Sequence, residues 1–298
     1  MSEKHPIVSI TGSSGAGTST VRRSLIAIFQ RQKIRPVVIE GDSFHRFDRQ
    51  SMRMEVDKAR RDERNFSHFG PEANEFKLLE TLFKSYASDG SGQKRFYLHD
   101  EAEAQAHNQR LSLDLQPGQF TPWEPVEQES DLLFYEGLHG LIKTDQVDLL
   151  KHVDLKVGVV PIVNLEWIQK IHRDSAERGY NQEEVVDNIL RRMPDYVKYI
   201  TPQFTHTDIN FQRVATVDTS NPFIARDIPT PDESFVIIRF NKPDIRQIDF
   251  SNLLSMLSGS FMSRRNTIVV PGSKLRMAME IIFTPMIADI VARRRSYL

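Results

Sequence analysis

Cysteine is absent from all 298 residues of this chain. Its absence excludes disulfides, thiolate-held metals, a cysteine nucleophile and any thiol redox switch, and it suits a reducing cytoplasm. A dominant charge is lacking too. Lys and Arg number 39 against 40 Asp and Glu, a formal net charge of −1, so no overall attraction to nucleic acid or to an anionic membrane is expected. Long apolar runs are also missing. The stretch Val157–Val163 is far too short to span a bilayer, and the N-terminus carries no secretory apolar segment. No repeat, low-complexity tract or linker divides the chain, so one domain over 1–298 is expected. What is present is 39% hydrophobic and 27% charged residues, enough apolar material for a sizeable core.

Short apolar runs alternate with helical periodicity. Pro6–Thr11 reads as a buried strand entering a glycine cluster, and Ser19–Gln32 follows with Val21, Leu25, Ile28 and Phe29 at amphipathic spacing. Val37–Glu40, Leu132–Tyr135, Leu155–Pro161, Phe211–Val217, Phe235–Phe240 and Thr267–Val270 read as further strands. Met52–Arg61, Glu72–Tyr86, Leu165–Arg178, Glu183–Met193 and Leu275–Arg293 read as helices. Between Gln93 and Pro125 the pattern weakens to an alternating stretch at Arg95–Leu98 and turn residues at Pro117–Gly118, so a hairpin and loop excursion is expected there. Strands alternating with helices imply an α/β sheet with right-handed crossovers.

Gly12-Ser13-Ser14-Gly15-Ala16-Gly17-Thr18-Ser19-Thr20 lies between the first strand and the first helix. Amide hydrogens must converge on a polyphosphate, and glycines let the chain curve around it without Cβ clashes; the helix N-terminus adds its positive dipole end. These nine residues are the candidate nucleotide-phosphate site, with Ser19 where the phosphate-loop motif puts the hydroxyl that ligates Mg²⁺. The motif asks for lysine before that hydroxyl, and this chain has Thr18. A glycine-rich turn with no ligand is the competing reading. If ATP binds, the missing charge must come from arginines or a lysine elsewhere.

Asp42 follows the second strand, at the edge where open α/β sheets bind ligands. It is suited to take a proton from an attacking hydroxyl, or simply to cap the next helix. His45, Arg46, Arg49 and Arg53 form a basic cluster matched to an anionic substrate, or else a solvated helix face. Leu-Leu-Phe-Tyr-Glu-Gly at 132–137 ends a buried strand with Glu136, placed to hold Mg²⁺ directly or through water. Lys170, Arg173 and Asp174 share one helix face, with Arg178-Gly179-Tyr180 beyond. They make either a surface ion pair or a lid whose cations close on a transferring phosphoryl group. His99 and His139 lack metal-ligand spacing, Arg191-Arg192 looks structural or regulatory, and the Arg293–Arg295 run is expected to be solvated.

Taken together these segments closely resemble the bacterial type of phosphoribulokinase, within the phosphoribulokinase/uridine kinase family, over nearly the full length. The resemblance is carried by HPIVSITGSSGAGTST, EGDSFHRF, FSHFGPEAN, LLFYEGLHG, VGVVPIVNLEWIQKIHRD with the following RGY, ITPQF, DINFQRV and VDTSNPF. Even the missing lysine belongs to it. The implied fold is an α/β, nucleoside-monophosphate-kinase-like mixed sheet flanked by helices, with ATP and Mg²⁺ as cofactors. The implied reaction is ATP plus D-ribulose 5-phosphate giving ADP and ribulose 1,5-bisphosphate.

The resemblance implies that Asp42 is the base at the C1 hydroxyl, Asp174 a second essential carboxylate near Mg²⁺, and Glu136 the acid that ends the strand beside the phosphate loop. It implies His45, Arg49 and Arg178 as sugar-phosphate ligands, and Lys170 and Arg173 as the groups that offset charge on the phosphoryl oxygens. Arg53 departs from the lysine expected there in bacterial members, and the two cations are not interchangeable at a tight site. Plant-type relatives switch through a cysteine pair, one member of which lies in the phosphate loop; here that position is Ala16. Bacterial members are instead activated by NADH and form octamers, and Arg31, Arg239 and Arg264 resemble arginines of that effector site. Two rivals stand beside this expectation: a kinase of the same fold acting on uridine, and a catalytically silent, nucleotide-responsive regulator. Thr18 is the best support for the second.

Overall fold

The computed structural model describes residues 4–12, 18–178, 181–224, 227–242 and 248–296, without the side chains of 19 and 176–178. In chain order the elements are β1 (Ile7–Gly12), α1 (Thr18–Arg31), β2 (Pro36–Glu40), α2 (Arg49–Arg61), α3 (Phe76–Asp89), β3 (Gln93–Lys94), α4 (Glu101–Leu111), β4 (Glu124–Pro125) and β5 (Leu132–Gly137). They continue with β6 (Leu155–Val160), α5 (Val163–Arg178), α6 (Gln182–Asp195), β7 (Ile209–Ala215), β8 (Ser234–Phe240), α7 (Phe250–Met256), β9 (Phe261–Arg264), β10 (Thr267–Pro271) and α8 (Leu275–Ser296).

Eight strands form one sheet in the order β2-β5-β1-β6-β7-β8-β10-β9, and β3 pairs separately with β4. The first five run parallel, and the last three join antiparallel. The sheet is therefore mixed, as expected. β1 is buried at every residue, the signature of a central parallel strand covered on both faces. Side chains alternate across the sheet. Leu132 and Phe134 of β5 join α1 and α8 in one core, whereas Leu133 and Tyr135 join α3 in the other. In α8 the buried residues Ala278, Met279, Ile282, Phe283, Met286 and Ile287 recur at helical spacing and cover the antiparallel strands. One polar side chain knits the centre. The Gln203 amide donates to the Leu138 and Tyr199 carbonyls, while its oxygen accepts from the Thr11 hydroxyl and the Leu141 amide.

Three expectations need correction. The helix expected from Glu72 begins at Phe76, because Pro71–Ala73 forms a separate 3₁₀ turn and Asn74 is held extended by its bridge to His45 and by hydrogen bonds to His68 and Gly70. The excursion at 93–125 contains the helix α4, whose N-cap Asp100 accepts from the Glu103 amide. Only Ala104 of α4 is buried, so no apolar period announces it. Arg294 is not solvated: its side chain is 12% exposed, and its guanidinium donates to the Ser130 carbonyl and to Asp131 where the end of α8 meets the start of β5. Among the described residues no helix is long and apolar enough to cross a membrane.

Candidate active site

Parallel strands gather their carboxyl ends on one edge, and the chain reverses direction across the sheet at β1, which leaves a crevice there. β1 ends at Gly12 and α1 begins at Thr18. The intervening Ser13, Ser14, Gly15, Ala16 and Gly17 lie outside the described residues, as do the side chains of Ser19 and Arg178 and all of Gly179-Tyr180. The Thr18 hydroxyl hydrogen-bonds the Glu136 carboxylate. Glu136 is the register partner of Glu40 on β2, and Arg22, one turn into α1, pairs with Glu40 at 2.5 Å. Burial pushes the Glu136 carboxyl up, and the Thr18 hydrogen bond and the Arg22 charge oppose that rise. Asp42 and Glu40 add negative potential to it.

A half-buried carboxylate in an acidic surround is suited to a cation. Among the described residues no group of three His, Cys, Asp or Glu forms a metal cage. Mg²⁺ needs no such cage: it keeps several waters and takes one or two carboxylates plus substrate phosphates.

Asp42 sits on a 3₁₀ turn, Gly41–Phe44, directly after β2. This turn needs glycine at both sides of a close approach. A Cβ on Gly41 would lie 2.5 Å from the Tyr135 hydroxyl and 2.9 Å from Gly137 Cα, and one on Gly137 would lie 2.7 Å from Gly41 Cα. Asp42 is 42% exposed, with His45 Nε2 3.7 Å from one carboxylate oxygen and His99 Nε2 3.9 Å from the other. Capping of the next helix falls to Asp48, whose carboxylate accepts from the Ser51 amide at 2.7 Å. Asp42 is thus not the cap, and its carboxylate faces two imidazoles.

Arg49 donates to the His99 carbonyl at 3.0 Å, and Arg53 lies exposed one turn further along α2. Arg46 leaves the cluster. It pairs with Glu75 at 3.0 Å and lines a separate cavity of about 500 Å³ with Lys77 and Lys143. Burial lowers the His45 imidazole, holds His68 well below its ordinary range, and brings His139 down to about 3. Burial thus favours the neutral imidazole at His45, His68 and His139.

The third group lies on α5. Asp174 is buried and binds Lys170 Nζ at 2.5 Å and Arg173 Nε at 3.2 Å. Lys170 is pulled down to about 8, first by burial and then by the charge of Arg192. Of the two readings of this trio, a surface ion pair does not hold, since the pair is largely buried, and Arg192 bears on it directly. Arg191 does turn to structure, donating to the Phe66 carbonyl and to Asn188. His68 links the two groups: its ring centroid is 6.1 Å from that of His45, and Arg192, His45 and Lys170 all depress it. His68 and His99 were missed as site residues. His99 was weighed only as a metal ligand, and His68 lies within FSHFGPEAN with no spacing that points to Asp42.

Beside the start of α1, a cavity of about 230 Å³ opens between Thr20, Val160, Leu165, Phe211 and Arg276. Its lining is mainly apolar, and Thr20 and Val21 of α1 form part of its wall. The three arginines Arg31, Arg239 and Arg264 lie at the opposite edge of the sheet. Arg239 and Arg264 both stand opposite Thr267, in the row of Asn210 near the start of β7. Arg31 closes α1 and faces Glu280 of α8 at 3.7 Å.

A strand that ends in Gly12 at the switch-point edge, a Glu136 carboxylate hydrogen-bonded by Thr18, and the Asp42 carboxylate on the neighbouring strand end fit a phosphoryl-transfer class of protein. A sequence model described as the phosphoribulokinase/uridine kinase family matches residues 7–220. The chain is 56% identical over 296 residues to a phosphoribulokinase of Nitrobacter vulgaris, covering 99% of each. It is 58% identical over 294 residues to one of Rhizobium meliloti, again covering 99% of each. A solved phosphoribulokinase from Rhodobacter spheroides superposes with a TM-score of 0.89 at 52% identity, covering 99% of this chain and 100% of that one. The chain belongs to the phosphoribulokinase/uridine kinase family.

Proposed function

We propose that this chain transfers the γ-phosphoryl group of ATP to the C1 hydroxyl of D-ribulose 5-phosphate, giving ribulose 1,5-bisphosphate and ADP. The observation that carries the reading is the Asp42 carboxylate: open to the crevice, flanked by His45 and His99, and beside the Glu136 end of β5. Its full-length relatives bearing the phosphoribulokinase name support the substrate.

Asp42 takes the C1 hydroxyl proton as the oxygen bonds to the γ-phosphorus, and the bond from that phosphorus to the β–γ bridging oxygen breaks, releasing ADP. Lys170 and Arg173 offset charge on the phosphoryl oxygens, the role a phosphate-loop lysine usually fills, while Asp174 holds both cations in place until substrate arrives. His45, Arg49, Arg53 and Arg178 bind the sugar phosphate. Amides and hydroxyls over 12–20 take the triphosphate, and the base enters the apolar cavity at the start of α1. Ser19 and Glu136 would hold Mg²⁺, which supplies positive charge to the phosphate oxygens when bound.

The reading extends to one domain over 1–298, a cytoplasmic location, a homo-oligomer that is an octamer by family resemblance, and NADH as an activator acting through Arg31, Arg239 and Arg264. A coupled ADP-release assay over an acceptor panel tests it. Release with ribulose 5-phosphate is expected. Release with uridine alone moves the chain to the sibling activity, and no release with any acceptor leaves a nucleotide-responsive regulator.

A further inference from the structure

The turn that bears Asp42 is four residues long and must hold a carboxylate still against a reacting hydroxyl. Its inner side is tied to the 73–75 stretch: the Glu75 amide donates to the Phe44 carbonyl, the Arg46 amide donates to that of Ala73, and the Arg46 guanidinium donates to the Asn74 carbonyl and to Glu75. Its outer side is tied by one side chain from a distant stretch. Arg95 Nε donates to the Ser43 carbonyl at 2.8 Å, and its terminal nitrogen donates to the His45 carbonyl at 2.6 Å. The two bonds straddle Phe44, so a single rigid fork fixes the carbonyls one and three residues after Asp42.

The fork is itself seated. The guanidinium lies 3.8 Å from the Phe120 ring centroid and 4.6 Å from that of Trp123. Trp123 in turn packs edge-on against Phe44, 5.4 Å away. Burial destabilises the Arg95 charge. Among the described residues no carboxylate is ion-paired with it; the cation is instead committed to two carbonyls and two aromatic faces. Half-burying a guanidinium with only the charge of Glu75, which it does not contact as an ion pair, to offset the loss is costly; because Ser43 and Phe44 are buried, the turn takes its donors from this one rigid group and not from water. We propose that Arg95 is a positioning residue for phosphoryl transfer, holding the Asp42 turn in register with the acceptor hydroxyl.

This inference rests on the assignment of Asp42 as the base. A lysine cannot replace Arg95, because an ammonium is a point donor that cannot span two carbonyls while lying flat on two rings. The test uses the full chain with Arg95→Lys and Arg95→Gly, assayed for ADP release with ribulose 5-phosphate, with and without added guanidinium chloride, alongside thermal unfolding. Displacing a catalytic group by about 1 Å costs ~10²-fold in rate, so both variants should lose about that factor in kcat while KM for ATP stays put. Guanidinium should restore turnover in Arg95→Gly and not in Arg95→Lys.

Turnover equal to the parent in Arg95→Lys overturns the proposal. So does a loss that merely follows the unfolded fraction, or a rise in ATP KM that accounts for the whole effect. If Arg95→Gly does not fold, the Arg95→Lys kinetics decide. A parent chain inactive toward ribulose 5-phosphate defeats the substrate reading instead, and the Arg95 comparison then runs on whichever acceptor in the panel is turned over. If none is, both fall.

Discussion

The parallel and antiparallel halves of the sheet share a core yet do different work. In β2-β5-β1-β6-β7 every strand points the same way, so five carboxyl ends and their loops collect on one edge. Glu40, Asp42 and Glu136 meet there within two adjacent strand ends. In β8-β10-β9 successive strands reverse, which sends consecutive loops to opposite edges and gathers no such cluster. That half instead packs Ile238, Phe240, Ile268 and Val270 under α8. It leaves Phe235 and Phe261 exposed, with their ring centroids 6.4 Å apart. One half organises chemistry through direction; the other contributes mass to the core and carries Arg239 and Arg264, the proposed effector arginines.

That contrast is open to attack from either side. The largest effect is expected from Asp42→Asn: loss of a general base should lower kcat ~10²–10⁴-fold, with ATP binding by calorimetry and the unfolding midpoint unchanged. A near-normal kcat would remove Asp42 from the mechanism. In the antiparallel half, Phe283 is fully buried, 5.5 Å from Phe211. Phe283→Ala should cost about 3–5 kcal/mol in urea unfolding while kcat/KM of the folded fraction holds. If that variant lost catalysis without losing stability, the division between the halves would be false.

The smallest effect concerns pH. Lys170 titrates near 8 in the folded chain, and kcat/KM reports free-enzyme groups. Activity should therefore fall as pH rises through about 8 and the ammonium is lost. Lys170→Arg should flatten that limb, and Arg192→Gln, by removing a neighbouring cation, should move it upward. Stability runs the other way. The folded value lies below the ordinary 10.5, so between the two the unfolded chain binds more protons, and this group's contribution to stability rises with pH across that window.

Much of this was legible beforehand where a short apolar run ended in a distinctive residue. β1, β2, β5 and β6 are short apolar strands that end at Gly12, Glu40, Gly137 and Val160, so the strands and their edge are readable directly. α4 could not, because a helix with one buried residue has no period to detect. Arg294 was misread because a basic run at a chain end normally stays in water, and only tertiary packing brings Asp131 to it. The Asp42 surround was half visible. His45 and Arg49 follow in sequence, but His99 and Arg95 arrive from more than fifty residues away, through a segment with a single isolated bridge, Tyr97 to Phe120. Alternation at Arg95–Leu98 implies a hairpin, and the backbone of 96–98 does pair antiparallel with 118–121; what the pattern does not reveal is that the Arg95 side chain goes to the Ser43 and His45 carbonyls and to aromatic rings.

Thr18 has a longer reach than its size suggests. Where related loops keep an ammonium, this chain keeps a hydroxyl, and that hydroxyl is engaged with Glu136. Under the proposed assignment, holding the nucleotide belongs to the amides at the head of α1, while neutralising the migrating phosphoryl group belongs to α5. Two tasks that one lysine fuses are thereby uncoupled. Affinity for ATP and speed of transfer become separate traits, each free to drift under selection without dragging the other along.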